Sequence, residues 1–283
     1  MVSVGDIVSG KDDYEVTQFI SAGGLGETFF VNRLSDNKIC VARFPRDAHQ
    51  VFAIVHSEFK ILDDLKQKNV PNVVRAIEVI EYQNQVGNMV PVLVTEAASG
   101  ESLGEVMARG PMAEDHCLEI ITKIAEAVNY IHEAGYIHRD IGPDEIFVED
   151  IGGRNNVTIL SFSIAAPLAE DKVNSFTDLI AGRSFFSPPE QLDASRGFNV
   201  SIYNDIYATG VTAVALLLGQ PGLNKFRFAF PDPPYDMLHL VPDELSNIDN
   251  NFRDIIYKST SYEPSDRFAT MADMVDALRW RES

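Results

Sequence analysis

Cysteine is close to absent: only Cys40 and Cys117 occur in 283 residues, one in a predicted strand and one in a predicted helix. That excludes a disulfide framework and a cysteine-based metal site, and it fits a reducing compartment. Long apolar runs are missing too. The longest, around residues 213–219, falls far short of the roughly 20 residues that a membrane span needs, and it reads as a buried helix. The start, MVSVGDIVSGKDDYEV, carries no basic-then-apolar leader pattern, so a cytoplasmic protein with no membrane partner is expected. Positive charge is scarce: 23 Lys and Arg face 42 Asp and Glu, a net charge of −19. Such a field repels phosphate backbones and argues against nucleic acid as a partner. No internal repeat is present, which excludes a solenoid.

What is there is an ordinary globular composition, 45% apolar and 23% charged, in a chain long enough for one large domain or two lobes. Strand-like alternation over residues 14–20 and 28–33 flanks Ser21-Ala22-Gly23-Gly24-Leu25-Gly26, a glycine-rich hairpin that by itself signals only a turn. Residues 38–44, KICVARF, read as a short buried strand ending near Arg43. A helix over 47–66 carries Glu58, and strands over 76–82 and 89–96 run into VLVTEAASGESL. Apolar residues three and four apart predict a long amphipathic helix over 112–134. It leads to YIHRDIGPDEIFVED, residues 136–150, the stretch that the rest of the chain surrounds. A hairpin from 146–148 and 157–160 then delivers Ser161-Phe162-Ser163, and a polar segment over 164–186 ends in Ser187-Pro188-Pro189-Glu190. Asn204-Asp205-Ile206-Tyr207 opens a central buried helix, and helices over 249–257 and 271–280 close the chain.

About ten of these landmarks, in order over residues 14–280, resemble the eukaryotic-type Ser/Thr protein kinases, whose signatures are a glycine-rich loop, V-A-I-K, H-R-D, D-F-G and A-P-E. The resemblance implies an α+β, bilobal fold with a small β-rich N-terminal lobe, 1–96, and a larger helical C-terminal lobe, 97–283. It assigns nucleotide-pocket positions to Gly23, Gly24 and Gly26, to Arg43 in place of the strand lysine, to its helix partner Glu58, to the gatekeeper Thr95, and to the main chain of Glu96 and Ala98. Asp140 takes the position of the catalytic base. His138, Arg139, Asp205, Glu190 and Arg267 take structural positions, with Glu190 paired to Arg267, Asp205 holding the catalytic-loop backbone, and Arg139 facing a phosphorylated or acidic group in the 164–186 segment.

Several positions depart from the family pattern. Ser21 replaces the first glycine, Gly142 replaces the lysine that touches the transferred phosphate, Glu145 replaces the asparagine that holds a magnesium ion, and Ser161 replaces the principal metal-binding aspartate. A neutral serine hydroxyl is a poor ligand for a hard cation. Arg43, Asp140, Gly142 and Ser161 sum to no charge, and Glu145 leaves one surplus negative charge facing a triphosphate of about −4. The expectation is therefore a pseudokinase, a regulatory or scaffolding module whose partner is another protein: a kinase, a phosphatase or a basic protein drawn to the acidic surface. No cofactor is expected, and ATP binding is left open. The alternative is a divergent, active Ser/Thr protein kinase in which Glu145 serves as a substitute ligand for Mg or Mn.

Overall fold

The computed structural model of the chain describes residues 2–46, 48–85, 87–168, 185–192, 201–229 and 246–280. Its contacts divide the chain into two compact units, Met1–Ala98 and Ser99–Ser283.

The first unit is one antiparallel sheet with one helix. Strands β1 (Ile7–Ser9), β2 (Asp13–Gly23), β3 (Gly26–Arg33), β4 (Lys38–Phe44), β5 (Ala76–Gln83) and β6 (Met89–Glu96) lie in the order β1-β2-β3-β4-β6-β5. Period-two alternation turns Tyr14, Val16, Val31, Cys40, Val92 and Val94 onto one face, where all are buried. At roughly 1.5–3 kcal/mol for each large apolar side chain removed from water, this face is the main source of the unit's stability. Helix α1 (Ala48–Gln67) buries Val51, Ile54, Val55, Leu62 and Leu65, and the same stripe carries Glu58 into the interior at 2% exposure.

The second unit is mainly helical. A short strand β7 (Glu101–Ser102) runs into α2 (Leu103–Ala108), and α3 (Glu114–Glu133) follows with Ile120, Ile121, Ile124, Val128 and Ile131 fully buried. The loop segment contributes β8 (Tyr136–Ile137), a 3-10 turn over Pro143–Glu145 and β9 (Ile146–Asp150), which pairs with β10 (Asn155–Ile159) and with β7. Strand β11 (Ala166–Pro167) pairs with β8. Helices α4 (Pro189–Leu192), α5 (Ile202–Ala229), α6 (Asn250–Ser259) and α7 (Met271–Leu278) complete the unit. Helix α5 is kinked at Gly219, whose φ of 62° is left-handed and whose missing side chain lets the main chain of Gly110 and Pro111 lie against it. Part of α5 is long and apolar enough to cross a membrane, yet 78% of that window is buried within the protein, so it is a core helix.

Among the elements that escape the sequence reading, β1 and α2 differ in what could have found them. β1 is three residues long and carries no periodicity, whereas α2 has a signal that could have found it: Ser102 and Glu105 form a reciprocal capping box.

Candidate functional site

The predicted positions fall into two sets, one on each unit. On the first, the glycine hairpin joins β2 to β3 with Gly23 opposite Gly26. Gly26 has φ +140°, and a Cβ there would collide with the Phe44 carbonyl, so the turn itself demands this glycine. Gly23 and Gly24 are different: neither is in the left-handed region, and a Cβ on either meets nothing within 4 Å. Gly26→Ala is therefore expected to cost about 1–3 kcal/mol, and Gly23→Ala to stay within about 0.5 kcal/mol of wild type, both measured by urea denaturation. Arg43, paired in register with Thr28 and Leu93, forms an ion pair from Nη2 to Glu58 Oε2, while its buried Nε has no hydrogen-bond partner among the described residues. Thr95 is held between Val41 of β4 and Ala76 of β5. The Glu96 amide is committed to the Arg75 carbonyl at 2.9 Å, which leaves the amide unavailable to a ligand. Ala98 ends the unit.

On the second unit the catalytic-loop residues are drawn together by Asp205, which is fully buried at the start of α5. Its Oδ2 accepts from His132 Nε2 and from the His138 amide, each at 2.8 Å, and its Oδ1 accepts from the Arg139 amide at 2.7 Å. These bonds hold Arg139 at φ 70°, a left-handed conformation that a non-glycine residue adopts only under constraint. Burial alone would raise the Asp205 pKa, but the hydrogen bond from His132, with the nearby imidazoles and amide, more than reverses it, so the carboxyl titrates below its usual range. A folded carboxyl with a depressed pKa contributes stability that is complete above the unfolded value near pH 4 and is lost as pH falls through the lower folded value. Asp205→Asn is thus expected to lower the melting temperature at pH 7, and its deficit against wild type should shrink below about pH 4 in scans from pH 2.5 to 7. His132 escaped the sequence reading because it lies on a stripe that reads as ordinary helix core.

His138 joins the loop to the segment after β10. Its Nδ1 accepts from the Asp140 amide at 3.2 Å, and its Nε2 donates to the Leu160 carbonyl at 2.8 Å, which fixes the tautomer. The ring meets buried Phe162 edge-on at 4.6 Å. The Leu160 amide in turn donates to the Glu145 carbonyl at 2.8 Å, and Ile146 pairs with Ile159. Asp140, Glu145 and Ser161 are thereby gathered on neighbouring main-chain segments, all three partly exposed. Ser161 has φ 58°, again left-handed. Gly142 is extended, at φ −177°, a conformation open to any residue. Arg139 Nη1 donates to the Ile164 carbonyl at 3.2 Å, and most of the segment that Arg139 was expected to face, residues 169–184, lies outside the described residues. Further on, Glu190 and Arg267 form a two-pronged ion pair at 2.7 and 2.9 Å with almost no exposure.

The donor chemistry around Glu145 suits a hard divalent cation, with two carboxylates and a hydroxyl. Among the described residues no group of three or more His, Cys, Asp or Glu side chains makes a metal site alone. Magnesium is usually held by one or two carboxylates together with phosphate oxygens, so the single carboxylate of Glu145 is within the range that it uses.

Three curated relatives align with nearly the whole chain. Probable serine/threonine-protein kinase PknB of Lactococcus lactis subsp. lactis is 26% identical over 302 residues, covering 97% of this chain and 42% of that protein. Probable serine/threonine-protein kinase PknB of Corynebacterium glutamicum is 27% identical, covering 94% and 42%. Serine/threonine-protein kinase PknB of Mycobacterium leprae is 24% identical, covering 95% and 43%. The chain spans less than half the length of these relatives. Their names correct the expectation of a pseudokinase, since each relative is named as a serine/threonine-protein kinase. A comparison made one position at a time registers each departure from the family pattern separately and does not join residues that the fold brings near one another. Glu145 carries a carboxylate that the family pattern lacks at this position, and its carbonyl accepts from the amide of the residue preceding Ser161. The model of the family described as the protein kinase domain matches residues 14–278, and the chain belongs to that family.

Proposed function

We propose that the chain is an ATP-dependent Ser/Thr protein kinase domain in which Glu145 takes over the metal-holding role that residue 161 has in the family pattern. The observation that carries this reading is the hydrogen bond from the Leu160 amide to the Glu145 carbonyl, which brings the main chain of residue 145 beside that of residue 161. The names of the relatives support the activity, and protein-kinase chemistry, in place of the expectation of no cofactor, calls for ATP with a divalent ion such as Mg or Mn.

The bare backbone at Gly23 and Gly24, with open space where a side chain would stand, suits the close approach of a phosphate chain. Arg43 supplies positive charge, held in place by Glu58. Glu145 would hold the divalent ion, and the ion when bound would supply neutralisation of phosphate charge. An Asp140 carboxylate oxygen accepts the proton of the incoming serine or threonine hydroxyl. His138 fixes the Asp140 main chain, and Asp205 fixes His138 and Arg139, so the base is oriented before substrate arrives. The protein substrate is drawn by an acidic surface that favours a basic partner.

The test is transfer of radiolabelled γ-phosphate from ATP to a mixture of basic Ser/Thr peptides, with Mg or Mn, against Asp140→Asn as control. Metal-dependent transfer that falls by about 10²–10⁴ in the control is expected. Absence of transfer with either metal would defeat the reading.

A further inference from the structure

Glu78 is a carboxylate on the core face of a strand. β5 buries Ala76, Glu78 and Ile80 in alternation, and Glu78 is only 4% exposed. No ion pair to it occurs among the described residues. Both of its oxygens are instead taken by the N-terminal segment: the Tyr14 hydroxyl donates to Oε1 at 2.8 Å and the Lys11 amide donates to Oε2 at 2.7 Å. Burial and this hydrogen bond push the Tyr14 phenol well above its ordinary range. Gly10 makes room for the contact, since a Cβ there would collide with the Glu78 carboxylate and with Ile80.

Residues 2–12, which precede the family match, are thus a strap built into the sheet. Val2 and Val8 are 8% and 3% exposed in the same core, the Gly5 amide donates to the Val16 carbonyl, and the Val16 amide donates to the Asp6 carbonyl. A buried carboxylate is tolerated only while its hydrogen bonds persist, so strap and Glu78 hold each other in place.

The main chain of Glu78 lies against β6, the strand that carries Thr95 and Glu96. It pairs with Val94 of β6, and the ladder is irregular between Ala76 and Glu78. The next two residues of β6 are Thr95, paired with Ala76, and Glu96, bonded to Arg75. We infer that Glu78 is a positioning residue: anchored by the strap, it sets the offset of β5 against β6 and so the placement of the gatekeeper Thr95 and of the Glu96 carbonyl, beside which the purine edge of the nucleotide is read. The inference rests on the kinase reading for the nucleotide and on the sheet geometry for the coupling.

The experiment is hydrogen exchange on the full chain, without nucleotide, in wild type, Glu78→Ala, Glu78→Gln and Tyr14→Phe, joined to titration with a non-hydrolysable ATP analogue. In Glu78→Ala, exchange over residues 2–12 and 89–96 should rise at least tenfold, residues 114–133 should be unchanged, and the dissociation constant for the analogue should rise at least tenfold. Glu78→Gln, which keeps one acceptor, should fall between Glu78→Ala and wild type. Tyr14→Phe, which removes a single hydroxyl, should repeat the pattern more weakly and serves if Glu78→Ala fails to fold. A rise confined to residues 2–12, a uniform rise over all segments, or an unaltered dissociation constant would each overturn the proposal. If wild type binds no analogue, the kinase reading fails instead, and exchange alone decides: a rise over 89–96 upholds the coupling and its absence ends it.

Discussion

Glu145→Gln is expected to lower kcat by about 10²–10³, the range seen when one preorganised electrostatic group is removed from a site where charge develops. The change keeps the size and shape of the side chain and removes only its charge. Because the residue sits in a 3-10 turn whose carbonyl, not its side chain, bonds Leu160, the main-chain frame survives. A second substitution makes the test specific. Ser161 already occupies a left-handed conformation, φ 58°, which Asp and Asn adopt several times more readily than most residues, so Ser161→Asp fits the backbone. The pair Glu145→Gln with Ser161→Asp should recover most of the lost rate, because it returns the second carboxylate to the family position beside the same main-chain hydrogen bond. Rates measured with Mg and with Mn check both steps. A single variant as fast as wild type, or a double variant no faster than the single, would show that Glu145 holds no metal.

This swap also explains what could and could not be read from the chain. Landmarks whose meaning is local were legible: the Gly23 to Gly26 turn, the strand carrying Arg43, the periodic helix before the loop, the Ser187-Pro188-Pro189-Glu190 stop. Each is encoded by residues within one turn or strand. The proposed metal-holding role joins two positions 16 apart in sequence, 145 and 161, whose main chains meet across the β9–β10 hairpin. A position-by-position comparison records a loss at one and an oddity at the other, and it has no means of joining them. Glu78 was missed for a related reason. In Ala76-Ile77-Glu78-Val79-Ile80 the period-two pattern puts Glu78 on the same face as Ala76 and Ile80, and a charge at a core-face position is a signal that alternation makes visible. What no local pattern supplies is its partner, since Tyr14 lies 64 residues away.

Arg267→Met is expected to destabilise the second unit by about 3–5 kcal/mol, because it strands a carboxylate that has almost no access to water. Glu190 and Arg267 have side-chain exposures of 4% and 0%, and the two hydrogen bonds between them are supplemented by Arg267 donating to the carbonyls of Ser261, Tyr203 and Tyr262. The guanidinium also lies over the Tyr207 ring at 4.8 Å. One side chain therefore binds α4, the start of α5 and the loop after α6. Denaturant unfolding measures the loss, and a double variant separates its two parts. Arg267→Met with Glu190→Gln removes the stranded charge and should regain part of the stability, while the three abandoned carbonyls keep the remainder lost. Arg267→Lys should behave nearly as badly as Arg267→Met: an ammonium keeps the charge but cannot span both Glu190 oxygens and three carbonyls with a planar fork. A lysine variant as stable as wild type would mean that charge alone, and not the geometry of the fork, holds these elements together.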